Sequence, residues 1–441
     1  MKKYIITGGN KLKGEVEIAG AKNSALKAIV AACMTNEKVI LHNIPKISDV
    51  HYMLEMVRHF GGIVEEDQNT VTIEVPEITS VRLPLETAAK MRTSSLFFAP
   101  FIARRGNAEI PNPGGDKIGA RRIDMHIEGL EKIGVEVHAK EDGYFYAQAK
   151  NLKGANYRFS KNTHTGTEQM ILASVMADGK TILENCAQEP EVDELIDLLN
   201  QMGGKIERTS ARVIEINGVE KLHGATFRIK SDRNEAVTFA IASALTGGEI
   251  WLKNVDKKHL TDFIEKFHLA GGEIEEDETG KLRFYIKDKI NPTHIKTEIY
   301  PGFMTDWQGP WCIFMTQAEG ESTIHETIYE DRFQYVHELK KMGADIELFN
   351  PSVANPQEFY NFNYDDCTLE TRHAIKIHGK TEINNAVMTM MDLRAGATLV
   401  LASLIANGES VIYGVEHIER GYEIFDERLR RLGANIEYIE E

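Results

Sequence analysis

Met202-Gly203-Gly204-Lys205-Ile206-Glu207 decides how this chain is read, because the sequence says nearly the same thing six times. The counterparts are Phe60-Gly61-Gly62-Ile63-Val64-Glu65, Ile133-Gly134-Val135-Glu136, Ala270-Gly271-Gly272-Glu273-Ile274-Glu275, Met342-Gly343-Ala344-Asp345-Ile346-Glu347 and Leu432-Gly433-Ala434-Asn435-Ile436-Glu437. In each, an apolar residue closes a helix, glycine supplies the left-handed turn that ends it, and alternating residues open a strand. Successive glycines lie roughly 70 residues apart, with the last interval nearer 90. That is a larger unit than the short periods of solenoids. A repeat reads as a small-residue helix, a glycine turn, a strand closing on Asn or its equivalent, an amphipathic helix and a strand begun at glycine. Six such copies predict a closed, pseudo-symmetric enzyme scaffold.

The two helices of a repeat differ in kind. Leu195, Leu198, Leu199 and Met202 fall on one helical face, as do Tyr422, Phe425, Leu429 and Leu432, which predicts half-exposed helices. Ser24 to Met34, Ala88 to Ala103, Thr167 to Met176, Asn234 to Leu245, Trp307 to Gln317 and Leu393 to Ala406 are instead apolar on most faces. Helices of that kind belong in an interior. The fold class is therefore α+β, with one buried and one exposed helix per repeat packed on a mixed sheet. A chain of 441 residues exceeds the ~250–300 that one core usually serves, so the copies divide three and three. The predicted domains are 22–230, and 1–21 together with 231–441. Tyr4-Ile5-Ile6 and Gly14-Glu15-Val16-Glu17-Ile18 read as a strand pair that completes the sheet of the far domain.

Composition excludes several classes. A formal net charge of −16 disfavours nucleic acid as a partner, since that affinity rests on a basic surface. No apolar stretch reaches the ~20 residues that span a bilayer, and Met1-Lys2-Lys3-Tyr4-Ile5-Ile6 has neither a long apolar core nor a cleavage site. No membrane association and a cytoplasmic location are expected. Cys33, Cys186, Cys312 and Cys367 are scattered, so neither a disulfide framework nor a metal site is predicted. His51, His164, His325 and His417 show no ligand spacing. No glycine-rich phosphate loop of the nucleotide-binding kinds occurs, and no cofactor is expected.

Charge concentrates where the buried helices begin: Lys22-Asn23, Lys90 to Arg92, Asp232-Arg233, Thr305-Asp306 and Asp392-Leu393-Arg394. If those ends point at one cleft between the domains, their free N–H groups and dipoles form an anion site. Asp306 and Asp392 stand where N-caps stand, and either could instead serve as a base. Lys22, Arg92, Arg332, Arg394 and Arg420 taken singly read as solvated charges; their return at equivalent repeat positions favours a role. The second repeat carries an extra loop, Pro111-Asn112-Pro113-Gly114-Gly115-Asp116-Lys117-Ile118-Gly119-Ala120-Arg121-Arg122. It reads either as a glycine turn with Asp as turn former or as a mobile loop bringing an acid to a ligand.

These motifs together carry a family resemblance. Ala19-Gly20-Ala21-Lys22-Asn23-Ser24-Ala25-Leu26, Gly114 to Arg121 followed by Asp124-Met125-His126, Pro301 through Thr305-Asp306, Glu330-Asp331-Arg332-Phe333, Asp392-Leu393-Arg394-Ala395 and His417-Ile418-Glu419-Arg420-Gly421-Tyr422-Glu423 resemble the UDP-N-acetylglucosamine 1-carboxyvinyltransferase family of enolpyruvyl transferases, in order and over essentially the whole chain. The resemblance implies a two-domain inside-out α/β barrel of six βαβαββ-type repeats, three per domain. It implies transfer of the enolpyruvyl group of phosphoenolpyruvate to the 3-hydroxyl of UDP-N-acetylglucosamine with release of phosphate, the first committed step of peptidoglycan synthesis.

It also implies roles. Lys22, Arg121 and Arg420 form the phosphate set, with Asn23 beside them, and Arg332 and Arg394 are forks for the substrate carboxylate. Asp306 accepts the 3-hydroxyl proton, and the acid at position 116 is the donor to the methylene carbon. Asn23, Arg92, Arg121, Arg122, Ile123, Asp124, Met125, Lys161, Asn162, Thr163, His164, Asp306 and Ile328 correspond to sugar-nucleotide contacts, and Asp392 supports the carboxylate side. Two departures stand out. Asp116 replaces the cysteine most members carry, which predicts insensitivity to fosfomycin, a thiol alkylator. Lys161-Asn162-Thr163-His164-Thr165-Gly166-Thr167 replaces a run usually closer to S-V-G-A-T, and Arg122 replaces a common proline. The alternatives are an enolpyruvyl transferase acting on shikimate 3-phosphate or a modified sugar nucleotide, and a non-catalytic sugar-nucleotide-binding paralogue.

Overall fold

Alternating residues and glycine turns build six small sheets in the computed structural model, which describes residues 2–115, 118–120 and 122–440. The chain divides into two compact units: Gly20–Gly115 with Arg121–Lys230, here the first domain, and Met1–Ala19, Asp116–Ala120 and Ser231–Glu441, the second.

Each sheet repeats one plan, seen most simply in the third repeat. The short strand Asn156–Arg158 pairs in parallel with Lys180–Glu184, which pairs antiparallel with Val213–Asn217, the return arm of a hairpin from Ile206–Ser210. The buried helix His164–Ser174 joins the two parallel strands, and the amphipathic helix Pro190–Gln201 leads into the hairpin. Asn43, Asn185 and Asn254 follow their strands with φ near +60°, the left-handed conformation that Asn tolerates better than most side chains. That is the physical content of a strand closing on Asn.

The interior of each domain is helical. Every residue of Lys22–Ala32 except Asn23 is buried, as is every residue of Arg233–Leu245 except Leu245 and of Leu393–Ile405 except Ile405. Alanine and small residues let these helices approach closely, and the sheets cover them. The segment read as one helix from Ala88 to Ala103 is three pieces: Leu85–Ala88, a 3₁₀ turn Arg92–Phe97 and the helix Phe98–Arg105. Met91 is extended, and the Ser94 hydroxyl donates to the carbonyls of Ala88 and Met91, 2.8 Å each. Pro100, lacking an N–H, then sits harmlessly in the first turn of the last piece.

The N-terminal strands depart from the expected pair. Lys2–Thr7 lies between Glu409–Tyr413 and Asn435–Glu440, while Lys13–Glu17 pairs in parallel with Glu249–Lys253. They serve two different sheets of the second domain and do not pair with each other. The sixth repeat ends after one arm of its hairpin, and Lys2–Thr7 supplies the other. In the first domain Thr226–Arg228 similarly pairs with Val39–His42. Late and early segments thus cover edges that would otherwise be left open.

The long last interval also has a cause. In the fifth repeat the hairpin arms Ile346–Phe349 and Ala374–His378 are separated by residues 350–373, an excursion rich in aromatic residues. Tyr360 stacks on Phe362 and Tyr364, with centroids 4.7 and 5.6 Å apart, and tilts against His373 at 4.9 Å. This insertion is the largest departure from the repeat.

Candidate active site

In the second domain, two buried helices, Arg233–Leu245 and Leu393–Ile405, and the 3₁₀ turn Thr305–Trp307 bring their first residues together. Asp306 lies within the turn Thr305–Trp307, whose N-cap is Met304, so it does not cap as expected. Its carboxylate instead takes guanidinium donors: Arg332 Nη2 reaches Oδ1 at 2.8 Å and Arg394 Nε reaches Oδ2 at 3.2 Å. A charged donor outcompetes a backbone N–H. Asn234 Nδ2 adds a longer contact of 3.4 Å to Oδ2, and Asn234 is itself fixed by Trp307 Nε1, which donates to its Oδ1 at 2.8 Å.

The shell around this carboxylate is dense. Asp392 caps Leu393–Ile405 through the N–H groups of Arg394 and Ala395, at 2.9 and 3.0 Å. Asp232 does the same for Arg233–Leu245. Arg394 Nη1 donates to the Tyr422 hydroxyl at 2.9 Å, and that hydroxyl lies 2.8 Å from Thr238 Oγ1. Arg332 lies 5.2 Å from the Tyr329 ring centroid. Burial would raise the Asp306 carboxyl, but Arg394 and Arg332 together overcome it and hold it well below the usual range. Both guanidiniums are correspondingly held charged. Two guanidiniums thus converge on one ionised acid, an arrangement suited to anion binding and, once the cations are engaged elsewhere, to proton abstraction.

Two further acids organise the same domain. Glu326 accepts from Thr297 and Thr305 hydroxyls at 2.9 and 2.8 Å and from the N–H of Ile328 at 2.7 Å, which places Ile328. Glu330 accepts from the N–H of Ala120, and Gly119 stands at φ +145° so close that a Cβ there would meet the Glu330 carboxylate. Arg420 ends the 3₁₀ turn Val415–Arg420, two residues before Tyr422.

In the first domain the predicted residues sit at separate places. Lys22 and Asn23 open Lys22–Ala32, and Lys22 Nζ pairs with Asp49 Oδ2 at 2.8 Å. Arg92 Nη2 donates to the Arg122 carbonyl at 2.6 Å, just ahead of Ile123 and of Asp124 and Met125, which begin the helix Asp124–Lys132. Tyr157 donates its hydroxyl to the Met125 carbonyl at 3.0 Å. Asn162 donates to the Asn185 carbonyl, following Lys161, and Thr163 caps His164–Ser174 by accepting from Gly166 N–H at 3.2 Å. His126 Nε2 lies 3.0 Å from Thr165 Oγ1, and burial drives that imidazole down to about 3, Arg92 adding to the effect. Asp116 and Arg121 lie outside the described residues.

Sequence reasoning missed the acids behind these cations. His164 Nε2 lies 3.1 Å from Glu168 Oε1, and Lys27 Nζ lies 3.3 Å from Glu168 Oε2, with Lys27 and Glu168 almost wholly buried. Burial would lower His164, but Glu168 outweighs it and raises that imidazole. The available signal was a lysine and a glutamate inside otherwise apolar helices, a pattern explained only by pairing. Asp49 and Glu330 carried no comparable signal.

Among the described residues, no group of three or more His, Cys, Asp or Glu is placed to hold a metal ion, and no helix is long and apolar enough to cross a membrane. Residues 6–429 match the profile of the EPSP synthase (3-phosphoshikimate 1-carboxyvinyltransferase) family. The UDP-N-acetylglucosamine 1-carboxyvinyltransferase of Koribacter versatilis is 42% identical over 445 residues, covering 100% of this chain and 97% of that protein. UDP-N-acetylglucosamine 1-carboxyvinyltransferase 2 of Carboxydothermus hydrogenoformans is 40% identical over 440 residues and 100% of both chains. Among solved structures, the enolpyruvyl transferase NikO from Streptomyces tendae superposes with a TM-score of 0.86 at 21% identity, covering 99% of each chain. An EPSP synthase from Acinetobacter baumannii gives 0.72 at 20% identity over 100% of both. These likenesses place the fold as the two-domain inside-out α/β arrangement. The chain belongs to the EPSP synthase family of carboxyvinyl transferases and, within it, to the UDP-N-acetylglucosamine 1-carboxyvinyltransferases.

Proposed function

We propose that this protein transfers the enolpyruvyl group of phosphoenolpyruvate to the 3-hydroxyl of UDP-N-acetylglucosamine, releasing phosphate, as the entry step of peptidoglycan synthesis. Both substrates are small molecules. The observation that carries the reading is Asp306 held between Arg332 and Arg394, in a chain related over its full length to proteins named for this reaction. Arg332 and Arg394 present planar forks to the carboxylate of the donor. Lys22, Arg121 and Arg420 neutralise its phosphate, which must depart as a dianion. Asp306 takes the proton from the attacking hydroxyl, and Asp116 gives one to the methylene carbon. Asn23, Arg92, Arg122, Ile123, Asp124, Met125, Lys161, Asn162, Thr163, His164 and Ile328 hold the sugar nucleotide.

The test is phosphate release from phosphoenolpyruvate with UDP-N-acetylglucosamine or shikimate 3-phosphate as acceptor. Release only with the sugar nucleotide supports the reading; release only with shikimate 3-phosphate reassigns the acceptor, and none with either points to a binding paralogue. With Asp116 where a thiol is usual, fosfomycin leaves the protein's intact mass unchanged and its turnover uninhibited. An adduct in the mass spectrum at the loop would refute that.

A further inference from the structure

The acid assigned as base occupies the donors of both arginines assigned to the substrate carboxylate. Arg332 and Arg394 side chains are 6% and 8% exposed, while that of Asp306 is 23% exposed. The arginines are the fixed partners. Arg332 packs over Tyr329, and Arg394 is bonded to Tyr422 and led by a capped helix start. Asp306 is the exchangeable one: a short side chain in a three-residue turn, held further by the long 3.4 Å bond from Asn234. Each guanidinium has five N–H donors, and Asp306 engages one on each by these bonds.

We propose that Asp306 stands on Arg332 and Arg394 in the place of the substrate carboxylate, and that arrival of that carboxylate releases Asp306 as the base, arming it only when the enolpyruvyl donor is bound. The inference rests on the proposed function, and adds to it an order of events and a reason for that order. While both arginines face Asp306, its carboxylate is too weak a base to take a hydroxyl proton. A second carboxylate on the same forks cancels one of the two positive charges, and Asp306 regains basicity whether it turns away or stays nearby. The other charged and titratable groups of the cluster face the arginines: Asp392, Glu326 and Tyr329 on the Arg332 side, Tyr422 and Asp232 on the Arg394 side. Premature proton abstraction from the bound sugar is thereby prevented.

The test compares the full chain with Asp306→Asn and Asp306→Ala by calorimetric titration with phosphoenolpyruvate, pyruvate and inorganic phosphate, each with and without UDP-N-acetylglucosamine. Removing an internal competitor tightens phosphoenolpyruvate and pyruvate about tenfold, one competing ion-pair contact's worth, and leaves phosphate within about twofold. Titration at pH 5 in buffers of different ionisation enthalpy shows proton uptake on phosphoenolpyruvate binding in the parent and less in Asp306→Asn. Equal or weaker carboxylate binding by both variants overturns the inference and leaves the transferase reading standing. Equal tightening of phosphate and pyruvate also overturns it, since general charge removal would then suffice. No binding of phosphoenolpyruvate by any form, with the sugar nucleotide present, overturns the transferase reading and the inference together.

Discussion

The buried helices of the two domains begin with charges handled in opposite ways. In the second domain the charges converge on a single partly exposed carboxylate, Asp306, gripped by two arginines. In the first they close into separate buried partnerships: Lys22 with Asp49, Lys27 and His164 with Glu168, and Ser24 with Glu194 at 2.5 Å. The difference lies in the acid's access to solvent. Asp49 is 3% exposed and Glu168 not at all, so nothing from outside can take their place without opening the interior. Asp306, by contrast, can be reached by an incoming anion without opening the interior. A cation paired with a reachable acid is poised to exchange that acid; a cation paired with a sealed acid, as Lys22 is with Asp49, keeps its partner whatever else it meets.

The largest effect that would sharpen this contrast is on turnover. Asp306→Ala is expected to lower kcat by about 10²–10⁴-fold, the usual worth of a general base. A variant with near-normal kcat would break the assignment. In the first domain the order reverses, because Glu168 serves stability. Glu168→Gln leaves Lys27 buried without its counter-charge and is expected to cost about 3–5 kcal/mol in denaturant unfolding. The double variant Lys27→Met with Glu168→Leu recovers most of that loss, since well-packed apolar residues replace a buried pair without penalty. If the double variant were no better than the single, the pair would hold something other than itself.

The smallest effect separates His164 from its scaffold. Glu168 raises its folded pKa against burial and against Lys27, with Glu189 adding to the raising. The stability it contributes is therefore fully present below the unfolded value of about 6.5 and is lost as pH rises through the folded value. His164→Gln should destabilise more at pH 5.5 than at pH 9. An equal loss at both pH values would show that the ring packs rather than carries charge. His126 has the opposite sign: its folded value of about 3 means that stability falls as pH drops below about 6.5. His126→Asn should flatten the acid limb.

The repeat was legible because its signals are local. Glycine after the last helical residue, Asn after the strand and small residues in the buried helices each act within a few positions, and the sheets follow. The excursion over residues 350–373 showed only as a stretched interval, since its aromatic stack forms around Tyr360 by contacts with His325 and His373 that spacing does not reveal. The cations stood out for the same local reason, at helix starts. Their acids did not: Asp49 lies 27 residues from Lys22, and Glu168 and Glu194, the buried partners of Lys27 and Ser24, lie 141 and 170 residues from them, distances over which spacing does not reveal who pairs with whom. The break near Met91 was hidden because alanine content outweighs one extended residue in any window.

The placement of the N-terminal strands has a consequence for how the protein is made. Lys2–Thr7 and Lys13–Glu17 leave the ribosome ahead of the rest of both domains, yet their partners Glu249–Lys253, Glu409–Tyr413 and Asn435–Glu440 are synthesised long afterwards. The first domain can finish while those strands wait, and its closing strand Thr226–Arg228 arrives before any partner of theirs. The sheet that holds Lys2–Thr7 then forms from segments far apart in sequence, and such contacts are slow to close. Disturbing the early strands therefore burdens the domain that is translated later.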